Sequence, residues 1–300
     1  MIPLVAAESA VVPLIAAPFA TEDELAGLLP EERAAAAYFL AAHPPDGGAP
    51  LAAVIAAFNE ERTVAEVVAE VPNKVAGLAC EVIVVVDGAR DETAARAIAA
   101  GALVCDVPVN RGQGAALRLG YWLARARGAQ VIATLDADGQ YDPRELERVI
   151  EPIVSGRADF VTGSRRLGAE LTTDTMRHAG VIFFGALISV LIGQRITDPA
   201  CGMRAMRAEV TETVTLEQPQ YQASELMIGA ALAGFRLAEV PTTMRDRGAH
   251  ASGTKKGGNF GYGLHFAGAM LTTWSRDRKR FGRRRWEVRG WALRPLRAER

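Results

Sequence analysis

The stretch 133–143, with the sequence ATLDADGQYDP, organises the rest of the chain. An apolar run leading into it predicts a buried strand over residues 131–135, and Asp136 and Asp138 follow that strand directly. Side chains two residues apart on an extended chain point the same way, so the two carboxylates are expected to face one point. Carboxylate oxygens suit a hard cation such as Mg²⁺ or Mn²⁺. Aspartate is also common in turns for conformational reasons alone, so a metal site and a simple turn both stay open for this stretch.

A repeated alternation of strand and helix begins at Leu51 and predicts an α/β domain with a mainly parallel sheet flanked by helices. Short apolar runs predict strands at residues 51–57, 81–86, 102–107, 131–135 and 159–163. Helices are predicted between them, at about residues 63–71, from residue 93, and at 144–155. Ligands of such sheets bind beyond the carboxyl ends of the strands, so the residues that follow these strands are the candidates for function.

Polar residues follow two further strands of this predicted sheet. Asn59 and Glu60 come after the first strand, and Asp87 and Asp91 after the second. Asn59 and Asp91 would also serve as helix caps. Capping does not explain the two aspartates after the fourth strand, however, and three polar strand ends in succession predict one binding edge.

A glycine-rich segment, NRGQGAALR at residues 110–118, lies between the third and fourth predicted strands. Gly112 and Gly114 would let a ligand approach the backbone at a helix N-terminus. The segment is not a dinucleotide fingerprint, because the third glycine is missing and the segment does not follow the first strand. A phosphate contact and a turn into a packed helix both stay open.

The second half of the chain predicts further helices and a basic loop. The apolar run 181–192 would form a helix about 18 Å long, shorter than a hydrocarbon core of ~30 Å, so it predicts a buried helix or one lying flat on a bilayer or lipid acceptor. A helix is predicted near 223–233, a strand at 236–240 and an apolar helix at 260–274. The loop 245–258 is rich in cations and glycines and suits a flap over a diphosphate, with a solvated loop as the alternative.

Two terminal segments flank the predicted domain of residues 51–259, whose nucleotide-binding half is 51–140 and whose acceptor half is 141–259. Residues 1–50 hold seven of the fifteen prolines and no Lys or Arg before Arg33, which excludes a secretory signal. They predict a helical extension, with a helix from Pro30 to about Ala42, and a linker.

Residues 260–300 predict an amphipathic helix and a basic tail. The segment 276–300 carries a net charge of +8, so the other residues together carry −9. With its tryptophans this tail would make a peripheral contact with an anionic membrane, and a solvated terminus is the alternative. We do not expect nucleic acid as a partner, and a homo-oligomer stays open.

Three widely separated cysteines, Cys80, Cys105 and Cys201, form no CxxC pair. Such a sparse, odd set argues against a disulfide framework or a zinc site and for a reducing compartment. The sequence therefore predicts a cytoplasmic protein, located at the inner face of the membrane if the tail binds lipid.

In their order and spacing, these motifs resemble the family 2 glycosyltransferases of the GT-A fold, which is Rossmann-like, over roughly residues 51–280. The resemblance rests on AAFNEE, VVVDGARDET, NRGQGAALRLG, the Asp136-Ala137-Asp138 motif and VTGSRR. In the second half, ITDPACGMRA, SELMIGAALAGFRLAEVPTTMRDRG and GTKK are similar to polyprenyl-phosphate sugar transferases of the dolichol-phosphate mannose synthase type.

The resemblance implies a role for individual residues. The nucleoside pocket would be lined by Asn59, Glu60, Asp87 and Asp91. The pattern DxDxQ, which holds the metal and the diphosphate, is matched by Asp136, Asp138 and Gln140. Basic positions near the donor or acceptor phosphate are matched by Arg204, Arg247 and Lys255.

The chain departs from the family pattern at several positions. Val86 replaces the first Asp of the usual VDDGS and Ala89 replaces the Ser, which leaves Asp87 to contact the base alone. Thr254 stands where Ser precedes the loop lysine. The first half is also similar to glucosyl-3-phosphoglycerate synthases, in which a loop histidine joins the metal, and His250 is the candidate for that part.

The expected function is an inverting, metal-dependent transfer of a hexose from a UDP-glucose or GDP-mannose type donor to a phosphate-bearing acceptor such as polyprenyl phosphate. Arg247 and Lys255 would close over the leaving diphosphate. A phosphate acceptor needs no strong base, whereas a hydroxyl acceptor would need Asp198 or Glu225.

Three alternatives stay open. In the first, the enzyme is a glycosyltransferase whose acceptor is a small soluble molecule, either phosphoglycerate-like or a natural-product hydroxyl. The second is a sugar nucleotidyltransferase, which would want a glycine-rich loop after the first strand, where this chain has Phe58-Asn59-Glu60-Glu61. The third is a non-catalytic nucleotide-binding module recruited by the basic tail.

Overall fold

The computed structural model of the chain describes residues 28–170, 175–218, 220–245 and 259–282. In this part of the chain the strands are β1 (Leu51–Ala57), β2 (Lys74–Val75), β3 (Leu78–Asp87), β4 (Leu103–Val107), β5 (Val131–Asp136), β6 (Phe160–Glu170), β7 (Arg204–Arg207) and β8 (Leu237–Met244). The α-helices are α1 (Pro30–Ala42), α2 (Val64–Glu70), α3 (Thr93–Ala99), α4 (Gln113–Ala126), α5 (Leu146–Val154), α6 (Thr175–Ile192), α7 (Ala208–Thr213), α8 (Gln222–Ala233) and α9 (Asn259–Phe281). The basic loop beyond Arg245 and the tail beyond Gly282 lie outside the described residues.

The sheet reverses its direction of growth between β1 and β5. β1 pairs in parallel with β3 on one side and with β5 on the other, and β4 extends the sheet beyond β3. β7 runs antiparallel to β5 and β6, and β8 runs parallel to β6. The chain therefore moves outward from β1 through β3 to β4, and then returns to the other side of β1 to form β5. Open α/β sheets bind ligands at such a reversal, beyond the carboxyl ends of the strands.

The predicted α/β class with a mainly parallel sheet is confirmed. In the first half β2 is not predicted and β3 begins at Leu78 rather than at residue 81, and the larger differences lie in the second half. β1 occupies the predicted residues, whereas β6 continues past Gly163 to Glu170 because it runs beside β8. The sequence does not predict β7. Its four residues, RAMR, carry no strand pattern, and the strand forms through antiparallel pairing with β5 and β6.

Side chains of β1 alternate between the two faces of the sheet, as the two-residue period of a strand requires. Ala53 and Ile55 belong to one buried cluster, and Ala52 and Val54 belong to the other. Helix α4 packs very closely on the second face. A Cβ atom at Gly120 of α4 would lie 2.3 Å from Cγ1 of Val54, so this position requires glycine.

Helix α1 belongs to the predicted N-terminal extension of residues 1–50, and it packs on the sheet. Its bounds match the predicted helix, and it buries Glu32, Ala36 and Phe39, which are spaced to form one stripe. Phe39 is 1% exposed and belongs to the same cluster as residues of β4 and α4. Beyond the helix, Arg127 donates to the carbonyl oxygens of His43 and Pro44 at 2.6 and 2.9 Å. The helix is therefore part of the hydrophobic core.

Helix α6 is longer than the apolar run that predicts it, because it begins at Thr175 rather than at residue 181. Among the residues that the structure describes, no helix combines the length and the apolarity needed to cross a membrane.

We expect Phe39→Ala to lower the free energy of unfolding by about 3 kcal/mol or more, because truncating a fully buried aromatic ring leaves a cavity under α1. Tyr38 is 79% exposed on the same helix, so Tyr38→Ala is the matched control and should change stability by only about 0.5 kcal/mol. Urea titration measures both changes. Equal effects of the two substitutions would show that α1 does not pack on the sheet.

Candidate active site

Asp136 and Asp138 lie at the reversal between β1 and β5. Asp136 is the last residue of β5, where it pairs with Ala56 of β1, and Asp138 lies in the turn that follows. Both carboxylates are half-buried. The side-chain amide of Gln113 donates to Oδ1 of Asp136 at 2.9 Å, and the backbone N–H of Gln140 donates to Oδ1 of Asp138 at 3.0 Å. Each carboxylate is thus oriented by a bond from the protein.

Gly202 fixes the other side of Asp136. A Cβ atom at residue 202 would lie 2.0 Å from Oδ2 of Asp136, so any side chain there would displace the carboxylate. The carbonyl oxygen of Gly202 accepts a bond of 3.0 Å from Thr134, and its N–H donates to the hydroxyl of Tyr141 at 3.3 Å. The segment before β7 is therefore held against the end of β5.

Asp87 holds the glycine-rich loop in place. The backbone N–H groups of Arg111 and Gly112 donate to its two carboxylate oxygens at 2.8 and 2.7 Å, and the side chain is 4% exposed. Gly112 is the N-cap of α4, with a φ of +92° that favours glycine. The anion at this helix N-terminus is therefore the Asp87 carboxylate, whereas the sequence analysis leaves open a ligand phosphate at Gly112 and Gly114.

The loops after β1 and β3 are tied to each other. Oδ1 of Asn59 accepts the N–H of Arg90 at 2.9 Å, and the N–H of Glu60 donates to the hydroxyl of Thr93 at 2.8 Å. Burial by itself raises the pKa of Asp91, but hydrogen bonds from Thr93 and from the backbone of residue 61 outweigh it, so the pKa is lowered. The structure brings these predicted residues together at the carboxyl ends of the paired strands β1 and β3.

Asp198 does not face the opening of this site. It is 0% exposed, and Arg165 donates to its two oxygens through Nε at 2.6 Å and Nη2 at 2.7 Å. The N–H of Ala200 adds a further bond of 3.3 Å. These contacts give Asp198 a structural role in place of the general base considered from the sequence.

Glu225 has a similar structural role. Its carboxylate accepts the N–H groups of Glu217 and Gln218 at 2.9 Å and Nη1 of Arg276 at 3.1 Å. Burial raises its pKa against the opposing effect of these bonds. The side chain thus fastens the segment before α8 to α9. The sequence could not identify this role because Arg276 is 51 residues away along the chain.

Arg204 is buried at the start of β7, opposite Thr134 of β5. Its Nε donates to the carbonyl oxygen of Cys201 at 2.8 Å. Among the described residues, its Nη1 is buried without a hydrogen-bond partner. This guanidinium therefore keeps donor capacity on β7, the strand that pairs with β5.

Gln140 connects the aspartate turn to the end of β8. Its carbonyl oxygen accepts the N–H of Arg245 at 2.7 Å, and its side-chain nitrogen faces the Arg245 carbonyl oxygen at 3.5 Å. Asp142 pairs with the guanidinium of Arg245. The basic loop thus begins beside the turn, and the three predicted residues within it lie outside the described residues: Arg247, His250 and Lys255.

The donor set fits a divalent metal that is bound together with a ligand. In the described ranges, no three His, Cys, Asp or Glu side chains form a metal-binding group. Asp136 and Asp138 nevertheless lie two residues apart at one strand end, and both carry hard oxygen donors. Mg²⁺ is usually held by one or two carboxylates together with substrate phosphates and water, so this pair is sufficient on the protein side.

The chain matches a family model and is similar to several known proteins. The profile described as glycosyl transferase family 2 matches residues 52–215, more than half of the chain. A dolichyl-phosphate hexose transferase of Haloferax volcanii is 32% identical over 197 residues, which cover 66% of this chain and 83% of that protein. A polyprenol monophosphomannose synthase of Mycolicibacterium smegmatis is 32% identical over 142 residues, which cover 45% of this chain and 53% of that protein.

A similar solved structure is the glucosyl-3-phosphoglycerate synthase of Mycobacterium tuberculosis in complex with Mn²⁺, UDP and phosphoglyceric acid. The TM-score is 0.57 at 22% identity, and the match covers 76% of this chain and 78% of that one. A likeness at this level of identity concerns the fold alone.

The fold and the sequence matches together define a glycosyltransferase with a GT-A type fold. The chain belongs to glycosyl transferase family 2, as the motifs in its sequence predict.

We expect Arg165→Met to lower the free energy of unfolding by about 3–5 kcal/mol, because it leaves the Asp198 carboxylate buried and unpaired. Adding Asp198→Asn removes that charge and should recover part of the loss. Arg166 is the exposed neighbour of Arg165, so Arg166→Met is the control, with a change of about 0.5 kcal/mol or less. Chemical denaturation compares the variants, and a double variant less stable than Arg165→Met would contradict the assigned role of the pair.

Proposed function

We propose that the enzyme transfers a hexose from a nucleotide-diphosphate sugar to the phosphate of a lipid such as polyprenyl phosphate, with inversion at the reacting sugar carbon. One observation carries this proposal. Asp136 and Asp138 stand at the reversal of the sheet, oriented by Gln113 and by the backbone of Gln140, in a chain similar to a dolichyl-phosphate hexose transferase.

Asp136 and Asp138 would hold Mg²⁺ or Mn²⁺, and the metal would supply Lewis-acid neutralisation of the charge that develops on the leaving diphosphate. The chain's own part is to keep the two carboxylates in place. Gln113 and the close approach of Gly202 restrict Asp136 from two sides. Such preorganisation matters because a site that is already oriented needs no rearrangement as charge develops.

The nucleoside of the donor would lie against the loops that follow β1 and β3. Asn59 and Asp91 hold these loops to each other, and Asp87 holds the loop before α4 beside them. Asp87 would act on the donor through the loop, because its side chain is only 4% exposed and it holds two backbone N–H groups of that loop. Glu60 and Asn59 present their side chains at the mouth of the same edge.

The contacts of Asp198 and Glu225 favour a phosphate acceptor over a hydroxyl. A hydroxyl must give a proton to a base as it attacks, whereas a phosphate monoester is already an anion at neutral pH. Both carboxylates considered as bases are committed to structural bonds. Arg204, whose Nη1 has no hydrogen-bond partner among the described residues, would instead provide a donor for a phosphate oxygen.

A lipid acceptor requires the enzyme to work at a membrane surface. Helices α6 and α9 pack together through Phe184 and Phe266, and each exposes large apolar side chains to solvent. The exposed apolar residues are Ile182, Phe183 and Val190 on α6 and Leu264 and Leu271 on α9. The last turn of α9 adds the cations Arg278, Lys279 and Arg280. Apolar side chains beside a basic cluster suit an anionic lipid surface, which we propose as the occupant of this face.

A soluble acceptor is the second candidate; a glucosyl-3-phosphoglycerate synthase of similar fold was solved with phosphoglyceric acid. Both acceptors carry a phosphate, but on polyprenyl phosphate the phosphate itself would attack the sugar, whereas phosphoglycerate would attack through its hydroxyl. The two candidates can be compared directly with the same donors.

We expect Asp136→Asn to lower kcat/KM for hexose transfer by roughly a hundredfold or more, because it removes a charge that stabilises the leaving diphosphate. Transfer is measured from labelled UDP-glucose and GDP-mannose, with Mn²⁺, to polyprenyl phosphate in detergent and to 3-phosphoglycerate. Asp46 is exposed in the 3₁₀ turn Pro45–Gly47, so Asp46→Asn is the control and should retain full activity.

The wild-type panel also identifies the acceptor. Transfer to 3-phosphoglycerate without transfer to polyprenyl phosphate would replace the lipid acceptor by the soluble one. Wild-type activity in Asp136→Asn would overturn the proposed site itself.

We expect the double substitution Phe183→Asp and Val190→Asp to reduce co-sedimentation with phosphatidylglycerol vesicles severalfold, because two charges on the exposed face of α6 oppose burial in the interface. Tyr38→Asp, on the exposed face of α1, should bind vesicles like the wild type. Unchanged binding of the α6 variant would exclude this face as the membrane contact.

A further inference from the structure

Helix α1 reaches the donor side of the enzyme although it precedes the residues that define the family. The family profile matches residues 52–215, whereas α1 ends at Ala42. The helix lies along β4 and α4, and its first turn ends beside the glycine-rich loop before α4. The contact is made by Glu32, whose carboxylate accepts Nη1 of Arg111 at 3.4 Å.

Glu32 is the one acidic side chain of the first turn of α1 that is buried: it is 4% exposed, whereas its neighbour Glu31 is exposed. Its Oε2 also accepts the N–H of Leu29 at 2.7 Å, which caps the helix. Capping alone does not require a charge, because glutamine serves equally well at this position of a capping box. A buried carboxylate costs free energy unless a cation compensates it, and Arg111 provides that cation.

A second arginine is influenced by the same carboxylate. Burial lowers the pKa of Arg118 on α4, and the negative charges of Glu225 and Glu32 are among the effects that oppose this shift. The charge of Glu32 therefore acts on Arg118 as well as on Arg111, which it contacts directly.

Arg111 links Glu32 to the two carboxylates at the strand ends. Its backbone N–H donates to Asp87 at 2.8 Å, and two residues later the side chain of Gln113 donates to Asp136 at 2.9 Å. The loop therefore has three attachments: the end of β3, the end of β5, and α1. Loss of the third attachment leaves the outer side of the loop unsupported.

The opposite end of α1 is anchored independently. Arg127 binds the carbonyl oxygens of His43 and Pro44, and it also forms two bonds with Glu81 of β3, at 3.0 and 2.9 Å. A helix of this length spans about 20 Å. Since its far end is fixed to β3, α1 has a fixed position on the sheet. Glu32, at its other end, therefore fixes the position of Arg111.

We propose that Glu32 is a positioning residue for the donor site, so that α1 is a part of the catalytic unit rather than an appendage. The inference rests on the proposed function, since it assigns the loop before α4 to donor binding. Glu32 acts through Arg111 and touches neither the donor nor the metal.

The test compares Glu32→Gln with Glu31→Gln in the full chain. Glutamine keeps the cap on α1 but removes the charge that holds Arg111. Isothermal titration calorimetry measures the Kd of UDP and of GDP, each with Mn²⁺, and the nucleotide that binds the wild type is used for all variants. We expect Glu32→Gln to weaken binding about threefold to tenfold and Glu31→Gln to leave it unchanged.

A double-mutant cycle separates positioning from a general loss of stability. Arg111→Met should weaken nucleotide binding as much as Glu32→Gln, and the double variant should be no weaker than either single variant. In the transfer assay KM for the donor should rise while kcat stays within about twofold, as expected for a loss of binding rather than of chemistry. In urea titration, Glu32→Gln and Glu31→Gln should have nearly the same free energy of unfolding.

The outcomes are distinct. Nucleotide binding by Glu32→Gln equal to that of Glu31→Gln, or additive losses in the cycle, would overturn the positioning role and leave the proposed function standing. A wild-type enzyme that binds neither UDP nor GDP would overturn the proposed function, and the inference with it.

Discussion

The carboxylate of Asp87, held by two backbone N–H groups, is the interaction on which the rest of the site depends. It brings the loop before α4 to the end of β3 and presents an anion to the N-terminus of that helix, where the helix dipole favours negative charge. With the loop fixed in this way, Gln113 reaches Asp136 and Arg111 reaches Glu32. One buried carboxylate thus helps to position the end of β5 through Gln113, helix α4, and helix α1 through Arg111.

The carboxylates that the sequence predicts as site residues divide into two groups by their depth in the fold. Asp87, Asp198 and Glu225 are buried, and their oxygens bind backbone amides or arginines of the protein. Asp136 and Asp138 are half-buried at the reversal of the sheet. A carboxylate that is buried must be paired to be tolerated, whereas one at a strand end retains access to ligands. Carboxylate side chains therefore build the frame of the fold and also remain accessible at a strand end.

Local patterns in the sequence were sufficient for the fold class, for β1, for α1 and for the family. They predict the strand ends as well, because polar residues after apolar runs are visible in the chain itself. The partners of Asp198 and Glu225 were not predictable, since Arg165 and Arg276 are 33 and 51 residues away and no local pattern joins them. For the same reason the sequence does not predict β7, which forms only through pairing with β5 and β6. It also does not predict that the backbone N–H groups of Arg111 and Gly112 bind Asp87.

The attachment of α1 has a consequence for the order in which the chain folds. The helix precedes its partners in synthesis, since Arg111 and Arg127 are 79 and 84 residues further along than Glu32 and His43. Contacts of such separation form late because a long loop must close first. During translation Phe39 therefore lacks its full hydrophobic surface until β4 and then α4 have emerged from the ribosome. The helix is made early but docks late, and with its docking the loop before α4 gains its attachment to α1.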